Sequence, residues 1–255
     1  MLRCIGLLML GALAWAQSPF DVDPLIERAA ERARAYAKSL PDFECTEIVQ
    51  RYMGVNPKFT LTPSDKLTIR IRYSQRREEH KLMLVNNRKT LQTYEALDGA
   101  VGTGEFGATL SAIFDPDSLT GFEFVGSKMG SGRQTMTYRY FIDLAHSHYH
   151  LWIGNMTSGR YRVVAYHGIL EVDAQTAEVL HFSYIADRVP KELDIRIALT
   201  TVDYALADVG GQEYLLPARS VTELRTADTS ARNEIEFRDY HKFSADSSID
   251  FGPVK

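Results

Sequence analysis

Apolar and polar residues alternate along most of this chain with a period of two. Leu67, Ile69, Ile71 and Tyr73 are interleaved with Thr68, Arg70, Arg72 and Ser74. Met136, Tyr138, Tyr140 and Ile142 are interleaved with Thr135, Thr137 and Arg139. Successive side chains of an extended backbone point to opposite faces, so each run predicts a strand with one buried face. Residues 81–85 and 89–94 flank Asn86-Asn87, a pair that tolerates left-handed turn geometry. Residues 162–172 and 179–184 enclose Asp173-Ala174-Gln175-Thr176, and residues 195–207 and 213–224 enclose Gly210-Gly211. Ile235 and Phe237 alternate with Glu234, Glu236 and Arg238. In 195–207 the apolar parity changes, from Ile195, Ile197 and Leu199 to Val202, Tyr204 and Leu206. That predicts a bulge or burial on both faces. Short connections between consecutive strands predict an antiparallel meander.

Two segments have a helical period instead. Asp23-Pro24 supplies an N-cap and a first-turn proline, and Leu25, Ile26, Ala29, Ala33, Tyr36 and Ala37 follow on one face until Leu40-Pro41. Residues 103–114 place Phe106, Leu110, Ile113 and Phe114 on one stripe. Gly99, Gly102, Gly104 and Gly107 precede or enter that segment, and Asp115-Pro116-Asp117 ends it. The expected fold class is α+β: a large curved antiparallel sheet, an open half-barrel meander, with an N-terminal helix and one inserted lid helix.

Composition then sets the compartment. Met1-Leu2-Arg3 is a short basic start, Cys4 to Leu13 is apolar, and Ala14-Trp15-Ala16 is a small-x-small cleavage site. Residues 1–16 therefore read as a secretory signal peptide, and residues 17–255 as a single half-barrel domain, periplasmic or secreted. The apolar run is too short to span a bilayer and no later stretch is longer, so a membrane-spanning chain is not expected. The net charge of −4 gives no footprint for nucleic acid. Cleavage leaves Cys45 alone, which excludes an intrachain disulfide and reads as a small buried apolar residue.

Chemistry is sparse. His146, His148 and His150 alternate, which on a strand puts them on one face. Two could share a metal, but all three would span about 13 Å, so a solvated face is the preferred reading and a metal-dependent hydrolase the weaker alternative. Lys66, Arg70, Arg72, Arg76, Arg77, Lys81 and Arg88 form a basic region across one hairpin. It reads as an outer face, with an anionic surface or acidic partner at Arg70, Arg72, Arg76 and Arg77 as the sharper alternative. Gly102 to Gly107 fits G-x-G-x-x-G by letter but lacks the preceding strand that a dinucleotide site needs, so hinges are the better reading. There is no G-x-S-x-G and no H-E-x-x-H. No catalytic residue, cofactor or resident metal is expected.

Certain stretches carry a resemblance. The hairpins around Asn86-Asn87, from Leu170-Glu171-Val172-Asp173 to Val179-Leu180, and from Val202-Asp203-Tyr204 to Gly211-Gln212-Glu213-Tyr214 resemble those of the LolA/LolB-type periplasmic lipoprotein-carrier superfamily. Leu40-Pro41-Asp42-Phe43, Gly104-Glu105-Phe106-Gly107, Ile113-Phe114-Asp115-Pro116 and Tyr149-His150-Leu151 resemble a family of secreted bacterial proteins of unknown function. The resemblance implies a sheet curled around an apolar cavity with the inserted helix as its lid. It implies a non-enzymatic binding protein for an acyl or lipid-like ligand, with Phe106, Leu110, Ile113 and Phe114 lining the lid. The alternative is a protein-interaction or sensor module with a packed interior and no small ligand. Intact-mass measurement of the exported protein should place its first residue at Gln17; a retained N-terminus or a lipidated Cys4 would contradict the signal-peptide reading.

Overall fold

A computed structural model describes residues 23–56, 58, 60–97, 105–130, 132–153 and 160–243. The segment 1–16, its cleavage site, and Gly99, Gly102 and Gly104 lie outside the described residues. The elements in order are α1 (Pro24–Ser39), β1 (Phe43–Val55), β2 (Thr62–Ser74), β3 (Arg77–Val85), β4 (Arg88–Lys89) and α2 (Ala108–Ile113). There follow β5 (Gly121–Gly130), β6 (Arg133–Ile142), β7 (His150–Ile153), β8 (Arg160–Val163), β9 (Ala165–Asp173) and β10 (Val179–Asp187). β11 (Ile195–Asp208), β12 (Glu213–Thr226) and β13 (Thr229–Lys242) complete the set.

Eleven strands form one antiparallel sheet in the order β4-β3-β2-β1-β13-β12-β11-β10-β9-β6-β5, and β7 pairs β8 in a separate ribbon. The order ends on β4 and β5 rather than closing on itself, so the sheet is an open, curved one. Neighbours in sequence are mostly neighbours in space. The exceptions are β1 with β13 and β6 with β9. No helix among the described residues is long and apolar enough to cross a membrane.

The alternation of the sequence sets which face is buried. On β2, Leu67, Ile69, Ile71 and Tyr73 are buried while Arg70 is exposed. Asn86 and Asn87 both have positive φ and turn β3 into β4. The expected strand 89–94 is shorter than its pattern: only Arg88–Lys89 pairs, and Tyr94 begins a 3-10 turn. On β11 the register shifts twice, at Ile195/Ile197 and at Asp203/Tyr204. The first shift turns Ile197 outward and leaves Ala198, Thr200, Val202 and Tyr204 facing the core.

The helix α1 lies on the same face. Asp23 caps it, accepting from Leu25 N at 2.9 Å, and its other carboxylate oxygen accepts the Tyr138 hydroxyl at 2.6 Å. The cap thus fixes the helix start to β6. Leu25, Ile26, Ala29 and Ala33 join α2 and strands β6, β9, β10 and β11 in a first core cluster. A second cluster lies over β1, β2, β3 and β13 and includes Phe43, Cys45, Tyr73, Phe106 and Phe237.

One close approach decides the geometry of the first cluster. The Tyr140 hydroxyl donates to the Ser183 carbonyl at 3.0 Å, and its ring passes directly over Gly168. A Cβ at 168 would fall on that carbonyl oxygen and against the ring. Gly126, on β5, has open space around it. Gly168→Ala should therefore cost roughly 1–3 kcal/mol or more through overpacking, whereas Gly126→Ala should stay within about 0.5 kcal/mol. Urea denaturation of both variants checks this; equal stabilities would contradict the packing described.

Candidate functional site

The segment after Glu105 spans both clusters. Gly107 has φ 108°, which no right-handed helix accommodates, so α2 starts at Ala108 and ends at Ile113. The helix expected over 103–114 is therefore six residues long, and Phe106 lies in the turn before it rather than on its stripe. Phe106, Leu110, Ile113 and Phe114 are nonetheless all buried against the sheet side. Leu110, Ile113 and Phe114 enter the first cluster, where Phe114 stacks on Phe122 with centroids 5.5 Å apart. Phe106 enters the second, 5.4 Å from the Phe43 ring and 5.6 Å from Phe237.

Beside Phe237, on which Phe106 packs, lies a group that sequence reading missed. Glu47 follows Phe43 and Cys45 on the inward parity of β1 and is 4% exposed. Its cross-strand neighbours are Ile69 and Phe237, both buried and apolar. Glu47 Oε2 has no hydrogen-bond partner. Burial pushes its carboxyl well above the ordinary range, and the negative charges of Glu105 and Glu78 add to the effect. Glu105 is also buried, and its carboxyl is pushed up to about 7, by burial first and then by Glu78. The Tyr204 hydroxyl donates to the Glu105 carbonyl at 2.6 Å, which fixes the turn to β11.

The same face of β3 brings His80, opposite Ile71, and Glu78, opposite Tyr73. His80 Nε2 is 3.9 Å from Glu78 Oε2, yet burial holds the imidazole down at about 4, so the ring is neutral at pH 7 and this is no ion pair. Tyr94 stacks on His80 at 4.7 Å. The parity of Phe43, Cys45, Glu47 and Val49 was the available signal for an inward glutamate.

The sheet parts close to this point. Pairing of β12 with β13 runs from Arg225/Ser230 to Arg219/Glu236 and stops. Pro217, with no N–H to donate, sits where it stops, and Asp239 bulges with φ 58°. The Tyr240 hydroxyl bridges the gap, donating to the Pro217 carbonyl at 2.7 Å. A groove of about 280 Å³ opens there, with Leu216, Pro217, Phe237 and Tyr240 in its walls and Asp208 and Arg238 at its exposed margin.

The histidines do not share a strand face. Residues 143–149 form a turn and coil, and β7 begins only at His150. Asp143 Oδ1 accepts from His146 N at 3.1 Å and lies 2.8 Å from His146 Nδ1, while the His150 ring meets Tyr161 edge-on. His148 is exposed. Among the described residues no three His, Cys, Asp or Glu side chains are gathered as a metal would need. In the basic region, Arg70 is exposed opposite Lys81, and Arg76 and Arg77 are exposed at the β2–β3 turn. Arg72 is engaged internally, with Nη2 2.9 Å from Glu44 and its guanidinium 4.3 Å over the Phe243 ring.

No family model matches the chain, and no curated protein matches it. Among solved structures it is similar to a LolA superfamily protein from Nitrosomonas europaea, at 10% identity over 86% of this chain and 93% of that one, with a TM-score of 0.37. It is also similar to a DUF1329 family protein from Desulfovibrio piger, at 9% identity over 89% and 96%, with a TM-score of 0.41.

The buried carboxyls make stability fall with rising pH. A carboxyl whose folded pKa is raised contributes its full stability below the unfolded value near 4.5 and loses it as pH rises through the folded value, about 7 for Glu105. For Glu105 alone the loss by pH 8 is roughly 3 kcal/mol. Thermal melts should fall between pH 5 and pH 8. Glu105→Gln and Glu47→Gln should each reduce that slope. Parallel slopes in wild type and both variants would show that the two groups are not buried as described.

Proposed function

We propose that this is an exported, non-enzymatic binding protein that holds an apolar, acyl-like ligand between the concave sheet face and the 105–114 segment. The observation that supports this reading best is how that segment is attached. Four large apolar side chains bury against the sheet side, yet α2 is a six-residue helix with no side-chain N-cap. Among the described residues, its hydrogen bonds to the sheet and to α1 are Tyr204 to the Glu105 carbonyl and a 3.5 Å contact from Arg34 to the Phe114 carbonyl, while Ser118 and Thr120 bond its last turn locally. Apolar burial is non-directional, so an alkyl chain can replace such contacts at little net cost, whereas a hydrogen-bonded cover would have to break its bonds. Each fully buried side chain contributes roughly 1.5–3 kcal/mol, enough to close the cover without ligand. The groove where β12 and β13 part supplies an opening of mixed polar and apolar lining beside the second cluster.

A second reading rests on a different feature. β5 is a ten-residue strand with a free edge, and Phe124, Val125 and Met129 on it are exposed. Exposed apolar side chains on an unpaired edge suit a protein partner, which is the interaction-module alternative.

The test is saturable binding of a neutral fluorescent long-chain alcohol. Wild type should bind it. Leu110→Ala and Phe114→Ala should each lose roughly 2–5 kcal/mol of stability and shift the probe Kd by about fivefold or more. Absence of saturable binding by the wild type, with both variants merely destabilised, would sink the binding reading and favour the interaction module.

A further inference from the structure

The second cluster has a charge inventory that an acyl-anion site would not have. Among the described residues two glutamates, Glu47 and Glu105, are buried while no lysine or arginine is. Glu78 faces the same space from β3 at 14% side-chain exposure. His80 beside it is neutral. One buried polar atom there, Glu47 Oε2, lacks a hydrogen-bond partner.

An unpartnered polar atom buried among apolar side chains carries a desolvation cost that nothing in the fold offsets. Glu47 bears this cost between Ile69 and Phe237, where an aliphatic residue would pack without it. The other polar atoms of this region are mostly committed. Tyr204 donates to the Glu105 carbonyl, and Tyr240 to Pro217. Glu47 Oε2 is the unpartnered buried carboxyl oxygen among the described residues. Phe237, next to Glu47 on β13, packs on Phe106 and is also a wall of the groove.

We propose that Glu47 is the headgroup acceptor of this interior, and that the ligand is an amine-bearing apolar molecule: its ammonium meets the Glu47 carboxyl, which gives up its proton to solvent on binding, while its alkyl chain lies along the concave face. The proposal rests on the binding reading above and names its ligand class. Glu105 and Glu78 place two further carboxyl groups near the bound charge, so a fatty-acid anion of equal length is repelled. A neutral alcohol gains the apolar contacts and at most one uncharged hydrogen bond to Glu47, without the charge pairing.

The experiment compares decylamine, decanol and decanoate, below their aggregation concentrations, as competitors of the neutral probe on wild type and Glu47→Gln at pH 7.5. Wild type should bind the amine at least tenfold more tightly than the alcohol, and the acid most weakly. In Glu47→Gln the amine advantage should fall to within about twofold of the alcohol, with alcohol binding retained. Equal amine and alcohol affinities in wild type would overturn the headgroup assignment while leaving the binding reading in place. An amine preference that survives in Glu47→Gln would overturn Glu47 as the acceptor. If none of the three displaces probe because no alkyl ligand binds, the binding reading falls and this proposal with it. The wild-type ranking needs no variant, so a poorly folding Glu47→Gln leaves the proposal open to refutation.

Discussion

The pairing of β1 with β13 joins residues that are far apart in the chain, Val49 beside Ile235 and Phe43 beside Lys242, and the rest of the sheet hangs on that seam. On one side of it β1 to β4 form a local meander. On the other, β13 back to β9 form a second, extended by β6 and β5. Each meander is made of short-range hairpins, but each buries only part of its inner face. The second core cluster needs Phe237 and Ile235 from β13 as much as Phe43 and Ile69 from β1 and β2. Closing so long a loop has an entropic cost that local hairpins do not meet, so this seam is the slow, cooperative step of folding expected for such a topology.

The seam also explains why the polar groups lie where they do. β13 leaves β12 at Pro217 in order to stay on β1, and the bulge at Asp239 brings Tyr240 across the gap. Glu47 sits on the β1 side of that divergence, in a row with Ile69 and Phe237. Cys45, two residues earlier, is buried beside it, and burial pushes its thiol well up. The chain thus keeps its one described cysteine unreactive and its one described unpartnered glutamate oxygen facing the core, on adjacent inward positions of the same strand.

Much of this architecture was legible from alternation because a buried sheet face demands it. β2, β6 and the Asn86-Asn87 turn follow their pattern closely. β5 was not legible: its bulge between Phe124 and Gly126 breaks the parity, and an edge strand has less need of one. The histidine run misled for a local reason. The Asp143 side chain captures His146 N, and the Ser147 hydroxyl donates to the Val164 carbonyl at 2.6 Å, so side-chain bonds to nearby backbone displaced the expected ladder. The helix is shorter than its apolar stripe, because Gly107 takes a left-handed conformation that delays the helix start to Ala108. Glu47 escaped notice because a strand glutamate ordinarily faces water, and only its parity with Phe43 and Cys45 marked it.

The two ends of the open sheet are unlike each other. At one, β3 and the two-residue β4 present Arg77, Glu79, Lys81, Arg88 and Lys89 to solvent, with Tyr94 packed on His80. Charged, short edges resist the addition of another strand. At the other, β5 offers ten residues with Phe124, Val125 and Met129 exposed. Of these two ends of the eleven-stranded sheet, β5 is the one suited to strand addition. Two copies meeting through β5 would each use up that end, so self-association through β5 alone terminates at a pair.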